Sequence, residues 1–303
     1  MRLSCFDKSA RVTIPLGATV TPEGIHFAAW SGAAKKIWLC LFDASGTRET
    51  DRIELSRGDG CVFSGFVPGL EPGARYGFRA DGEYVPERGL WFDPEKLLVD
   101  PYAVEIDRPY VFDEKLSARR GGGGDTAPLM PKAIARALPT PVSRTPPLFR
   151  PGGLVYELNV RAFTKLHSQV PAEIRGTVAA LGHPVIIDHL HKLGVGAVEL
   201  MPVTAWIDER HLQLVGLTNA WGYNPVTFMA LDPRLAPGGL AELHDTVTAL
   251  REAGIGTILD LVFNHTGEGD VFGPTLSLRG LDARTYYRHR KDGSLVNDTG
   301  TGN

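Results

Sequence analysis

Short runs of apolar and polar residues fill the first third of the chain. "GIHFAAW" (24–30), "KIWLCLFD" (36–43), "TDRIELS" (50–56) and "CVFSGFVPG" (61–69) are rich in β-branched and aromatic residues. Turn signals separate them: "SGAAKK", "DASGT", "SRGDG" and "PGLEPGA". That spacing predicts an all-β, immunoglobulin-like sandwich over residues 1–110. From 111 to 152 the texture changes. "RRGGGGDTAP" and "LPTPVSRTPPLFRPGG" are rich in Gly and Pro and have no clear period. They predict an extended connector draped over the surface.

The pattern changes again after Gly153. "LVYELNVRAF", "AVELMPV" and "IGTILDLVFNH" read as strands. "PVIIDHLHKLG" and "GLAELHDTVTALREAG" carry apolar residues at helical spacing and end at Gly194 and Gly254. Strand–helix–strand–helix–strand predicts parallel βα units over 153–303, as the first part of a barrel or of an open sheet. The tail from Thr266 to Asn303 is polar and Gly-rich, and no strong element is expected there.

Composition removes several classes. Hydrophobic residues make up 43% of the 303, enough for a packed core. The net charge of −3, with no Lys/Arg run longer than two, argues against nucleic acid. The longest early apolar run, "IWLCLF", is too short to span a bilayer, and the N-terminus lacks the apolar segment of a signal peptide. Cys5, Cys40 and Cys61 are widely spaced and odd in number, so neither a disulfide framework nor a zinc site is expected, and a reducing, cytoplasmic setting is the default.

The chemistry concentrates in "GTILDLVFNHTGEGD" (256–270), where Asp260 interrupts an apolar strand that ends in Asn264 and His265. A lone buried carboxylate is costly unless something pairs with it. Strand alternation would send Asp260, Val262 and Asn264 one way and Leu259, Leu261 and Phe263 the other. The cluster reads either as a rim that holds a polar ligand or as a strand end followed by a polar turn. Trp30 and Trp38 suit either a glucan platform or core packing. His189 and His191 are two apart on a helix, the wrong spacing for a helical metal pair. "GGGG" at 121–124 is neither a phosphate loop nor a dinucleotide fingerprint.

These residues carry a resemblance. "DLVFNH" resembles the first signature region of glycoside hydrolase family 13, the α-amylase family. "NAWGYNPVTF" (219–228) is similar to the "WGYNP" segment of its bacterial debranching and isoamylase members. "YELNVRAFT" (156–164) resembles their first barrel strand. "GLWFDPEKLLVDPYA" (89–103) resembles the exit from their carbohydrate-binding-module-like β domain. "DTAPLMPKA" (125–133) and "NDTGTGN" (297–303) fit the same subgroup. The motifs occur in family order along nearly the whole chain.

The resemblance implies a sandwich followed by an incomplete (β/α)8 TIM barrel, and retaining hydrolysis of α-1,6 branch linkages in glycogen or limit dextrin. It implies that Tyr223 stacks on the sugar before the cleaved bond and that His265 hydrogen-bonds that sugar. Asp260 and Asn264 would support them, Asp260 by pairing with an arginine just before the nucleophile. It implies no cofactor and no metal ligand in this sequence. The family's three catalytic carboxylates lie on later strands, beyond Asn303. Residues 153–303 fall well short of the roughly 250 of a closed barrel. The chain alone is therefore expected to be inactive, with no catalytic residue of its own and a possible need for the missing C-terminal half. A Glu199/Asp260 pair is conceivable, but both match supporting positions. The rival readings are a non-catalytic glucan-binding or interaction protein, and another α-amylase-family glucan hydrolase.

Overall fold

The computed structural model describes residues 15–137 and 146–303. Cys5, the first residues of the expected sandwich and part of the Pro-rich connector lie outside the described residues.

Ten strands build the first part: β1 (Gly17–Thr21), β2 (Gly24–Trp30), β3 (Lys36–Phe42), β4 (Glu49–Glu54), β5 (Ser56–Arg57), β6 (Val62–Pro68), β7 (Arg75–Asp81), β8 (Tyr84–Val85), β9 (Leu90–Trp91) and β10 (Ala133–Ile134). Two antiparallel sheets form, in the orders β1-β2-β6-β5 and β10-β7-β3-β4, with β8-β9 as a separate small pair. Alternate residues of each central strand face inward. Ile25, Phe27 and Ala29 of β2 thereby share one core with Ile37, Leu39 and Leu41 of β3 and with Tyr76 and Phe78 of β7. Phe27 meets Tyr76 edge-on at 4.8 Å. This is the expected sandwich.

The second sheet is covered on its other face as well. Cys40 and Arg79, out of step with the inward set, are also buried. The Arg79 guanidinium donates to the carbonyls of Pro94 and Glu95, both at 3.0 Å, and pairs with Asp125 at 2.7 Å. Burial pushes the Cys40 thiol up to about 12. The cover comes from residues 93–135, so much of the expected surface connector is core. Leu116, Ala127, Met130 and Ala133 are buried in the same cluster, and Ala133 pairs with Tyr76. The segment is irregular, held by bonds such as Thr126 N–H to Glu95 O (3.0 Å) and Ile134 N–H to Glu105 O (2.9 Å). Its few apolar residues therefore follow no helical or strand period. Cys61 is disulfide-bonded, contrary to the expectation from the odd cysteine count.

Three further strands, β11 (Leu154–Leu158), β12 (Val195–Leu200) and β13 (Gly256–Leu259), form a parallel sheet in sequence order. The helix Pro184–Leu193 links the first two and the helix Gly239–Glu252 the next. Proline opens the first helix, and Gly194 closes it at φ 75°, which a side chain would resist. Leu158, Val198 and Leu200 pack with Ile186, Leu190 and Leu250 of these helices in a second core. The opposite sheet face carries Glu157 and Glu199 in register, with Ile258 beside Glu199.

Three local expectations change. The first strand of this sheet stops at Leu158, because Asn159 accepts the Ala162 N–H at 2.9 Å and starts a short helix, Val160–Thr164. β13 ends at Leu259, so Asp260 stands just past the strand rather than within it. Strand alternation then fails beyond it: Val262 is buried, while Asn264, expected on the same face, is exposed along with Phe263. Finally, the tail holds a helix, Leu278–Tyr286, kinked at Asp282 and docked on the sandwich. It gives no amphipathic signal because its residues from Leu278 to Ala283, polar ones included, are all buried. The Asp282 carboxylate accepts the N–H groups of Gly32 (2.8 Å) and Ala33 (3.1 Å). Glu268 accepts the N–H groups of Leu276, Ser277 and Arg279.

Candidate functional site

A ribbon between the two cores positions the site. After β12 the chain runs antiparallel to 224–232: Ala205 N–H bonds Ala230 O (2.9 Å), Val226 N–H bonds Ala205 O (3.0 Å) and Ile207 N–H bonds Asn224 O (3.1 Å). Ala205, Ile207 and Val226 join the sandwich core, whereas Trp206 and Leu231 join the helical one. The ribbon is thus gripped from both sides, and Tyr223 leaves it at the C-terminal end of the parallel strands.

There Tyr223 finds Asp260. Its hydroxyl donates to Asp260 Oδ2 at 2.5 Å. This is the partner of the isolated carboxylate within the described residues, and it comes from a loop rather than a strand. The Tyr223 phenol is pushed above its ordinary range, first by burial, then by the bond to Asp260 and by the charges of Asp260, Glu157 and Glu199. The hydroxyl therefore stays protonated at any ordinary pH and acts as a donor.

His265 lies behind Tyr223 and is buried. Its Nε2 is 2.8 Å from the Tyr223 carbonyl, which can only accept, so Nε2 carries the proton. Its Nδ1 is 3.0 Å from the Asn264 amide nitrogen, which donates. Both ring nitrogens are engaged, and the ring holds the Tyr223 backbone in place. The four residues singled out in the sequence thus come together: Tyr223 on Asp260, His265 on Tyr223, Asn264 on His265. Glu199 stands nearby on the sheet face. Neither Glu157, Glu199 nor Asp260 makes an ion pair among the described residues.

Asn303 reaches the loop that follows His265. Its Oδ1 accepts the Thr266 N–H at 2.9 Å, and its amide donates to the carbonyls of Thr266 and Gly269, both at 3.0 Å. The polar tail therefore returns to the loop directly after His265 and clasps it. An amide neither attacks a sugar carbon nor supplies a proton at neutral pH, so Asn303 is a brace of the site and not a catalytic group.

Tyr223 and His265 line a cleft of about 470 Å³ with Asp208, Glu209, Asn224 and Asp270. Trp30 and Trp38 are not part of it. Trp30 packs edge-on against Tyr286 at 5.8 Å and donates its indole N–H to Gly60 O at 2.8 Å. Among the described residues no group of three or more His, Cys, Asp or Glu side chains is placed to hold a metal ion.

Residues 15–103 match carbohydrate-binding module 48, the isoamylase N-terminal domain. The glycogen debranching enzyme of Pectobacterium carotovorum is 44% identical over 298 residues, covering 95% of this chain and 44% of that protein. That of Klebsiella pneumoniae is 42% identical over 299 residues, covering 95% of this chain and 45% of that protein. Over nearly all of its length the chain is similar to glycogen debranching enzymes. It spans just under half the length of these relatives. A pullulanase from Anoxybacillus sp. LM18-11, solved with maltotetraose, superposes with a TM-score of 0.70 at 25% identity, over 95% of this chain and 40% of that one. A Paenibacillus barengoltzii pullulanase, at 22% identity, shares the fold with a TM-score of 0.70 over 99% of this chain and 44% of that one.

Asp208 and Glu209 went unmarked in the sequence. Their signal was weak: they flank an apolar ribbon with no period of its own. Asn219, inside the "NAWGYNP" stretch, was the readable clue. Its side-chain oxygen accepts the N–H groups of Trp221 (2.8 Å) and Gly222 (3.0 Å), which shapes the turn that delivers Tyr223.

Proposed function

We propose that this chain is the N-terminal part of a retaining glycoside hydrolase that cleaves α-1,6 branch linkages in glycogen or limit dextrin. The contact between the Tyr223 hydroxyl and Asp260, braced by His265, carries the reading. It holds an aromatic side chain at the C-terminal end of parallel strands, the end where barrel enzymes bind substrate. The homology to debranching enzymes supports the same reading. Residues 1–110 are then a carbohydrate-binding-module-like sandwich, 111–152 a connector, and 153–303 the first part of an incomplete (β/α)8 barrel. The setting is cytoplasmic; no helix among the described residues is long and apolar enough to cross a membrane.

In this reading Tyr223 stacks on the sugar before the scissile bond, because the C–H face of a pyranose packs on an aromatic plane. The buried imidazole of His265 fixes Tyr223 and offers Nδ1 to a sugar hydroxyl once Asn264 yields it. Asp260 and Asn264 are supporting residues. Retaining hydrolysis requires a nucleophile and an acid flanking the bond. Asp260 is taken up by Tyr223, and Glu157 and Glu199 stand side by side on one sheet face. None of the three is offered as a catalytic carboxylate, so the 303 residues alone bind glucan without cleaving it. The test is reducing-end release from glycogen limit dextrin by the purified chain, together with calorimetric titration by maltohexaose. Saturable binding without release is expected. Release would overturn the inactivity, and absence of binding would overturn the glucan reading.

A further inference from the structure

Asn159 stands at the end of β11 and does two things with one side-chain amide. Its Oδ1 accepts the Ala162 N–H at 2.9 Å and starts the helix Val160–Thr164. Its Nδ2 is left to donate, and the acceptor is the Ala220 carbonyl at 2.8 Å, 61 residues along the chain. Capping a helix needs only the oxygen. The nitrogen serves the turn at 219–222, the one that delivers Tyr223.

That turn lies at the surface, with Ala220 and Trp221 exposed. Its other ties come from the ribbon. The Asn219 N–H bonds Asp208 Oδ1 at 2.8 Å, the Asn219 carbonyl accepts the Trp206 indole N–H at 3.1 Å, and the Asn219 amide donates to Glu209 Oε1 at 2.9 Å. Trp206, Asp208 and Glu209 all lie on the outgoing run of the ribbon, so these bonds fix the turn to the ribbon and not to the sheet. Asp260 belongs to the sheet side: its N–H bonds Leu200 O at 3.0 Å, at the end of β12. The contact between Tyr223 and Asp260 therefore joins two separately built parts. Among the described residues, the bond from Asn159 is the one hydrogen bond that runs from the end of the parallel sheet to residues 219–222.

We propose that Asn159 is a positioning residue of the cleft: it registers the Tyr223 turn on the parallel sheet, so that the tyrosine hydroxyl is delivered to Asp260. This deepens the proposed function and rests on it for what the cleft binds. Asn159 acts through the Ala220 carbonyl. Once that bond is lost, the exposed turn takes up other arrangements and the fraction of molecules with Tyr223 in place falls. The apparent affinity for a cleft ligand falls by the same fraction.

The test separates the two halves of the amide. N159D and N159S keep an oxygen that caps the helix, but a carboxylate has no donor and a serine hydroxyl is too short to span to Ala220. N159A removes cap and tie together. The measurements on the 303-residue chain are thermal melts, amide exchange and calorimetric titration with maltohexaose. N159D and N159S should melt as the wild type does, exchange the Trp221 and Gly222 amides about tenfold faster, and bind maltohexaose about fivefold more weakly. Those two amides bond Asn219 Oδ1 inside the turn and report on it directly. N159A should show the same changes with a lower melt. Wild-type exchange at Trp221 and Gly222 in both capped variants overturns the proposal. So does an effect in N159D without one in N159S, which traces to the added charge. Faster exchange across the whole chain, with melts as low as that of N159A, makes Asn159 a residue of the fold alone and also overturns it. Faster exchange confined to the turn with unchanged affinity overturns the role in the cleft and leaves the glucan reading standing. If the wild type does not bind maltohexaose, the glucan reading fails, and exchange at the turn alone decides whether Asn159 registers it.

Discussion

The same pair of side chains occurs in two regions with opposite consequences. In the sandwich, Tyr76 donates to Asp100 at 2.6 Å, and both residues are buried. At the end of the parallel sheet, Tyr223 donates to Asp260 at 2.5 Å, beside Glu157 and Glu199 and an open cleft. Burial pushes the Asp100 carboxyl up to about 6, even though Tyr76 and the Tyr102 N–H favour its charged form. The sandwich pair is sealed and fastens the core to the segment after β9. The sheet pair faces a cleft, which its tyrosine lines. A tyrosine–aspartate contact is a staple or a site according to what surrounds it. Tail residue Glu268 is a third case, sealed like the first: it accepts three backbone N–H groups and the Tyr287 hydroxyl.

The largest effect should come from breaking a sealed carboxylate. Glu268→Ala strands three buried N–H groups and the Tyr287 hydroxyl, and should cost roughly 3–5 kcal/mol in urea unfolding. A change under about 1 kcal/mol would mean that the tail does not depend on it. Tyr76→Phe should cost about 1–3 kcal/mol, since Asp100 keeps only its bond from the Tyr102 N–H.

The third prediction concerns pH. The folded-state pKa of Asp100 lies above its ordinary 3.8, so the folded chain holds the proton more tightly than the unfolded one. This group's contribution is full below about 3.8 and is lost as pH rises through about 6. Stability should therefore fall between those values by roughly 2–3 kcal/mol from this residue. Asp100→Asn should flatten that part of the profile; an identical slope in the variant would remove Asp100 as its source.

The open pair should respond differently. Tyr223→Phe should cost less than about 1 kcal/mol of stability, yet weaken maltohexaose binding severalfold, because Asp260 can turn to solvent while the aromatic ring loses its anchor. A stability loss as large as that of Tyr76→Phe would erase the distinction between the two pairs. The smallest effect belongs to Trp221→Ala, whose melt should stay within about 0.5 kcal/mol of wild type.

Much of this molecule was readable before its fold. The central strands β2 and β3, both connecting helices and the glycine stop at Gly194 follow from local rules: side-chain period, capping and left-handed backbone. Each depends on neighbours a few residues away. The motif residues Tyr223, Asp260, Asn264 and His265 were legible too, through resemblance, and in space they touch.

Tertiary structure alone decided the rest. That Leu116 and Met130 are core, that a polar helix at 278–286 docks on the sandwich, that Asn303 folds back onto Thr266, and that Asp260 stands past the end of its strand all depend on surfaces built elsewhere in the chain. So does the partner of Asp260. Sequence marks a carboxylate as costly to isolate, because desolvation is a property of the group itself. Which donor reaches it, and whether water does as well, is set by a ribbon held between two cores. That arrangement brings together residues 37 apart in the chain.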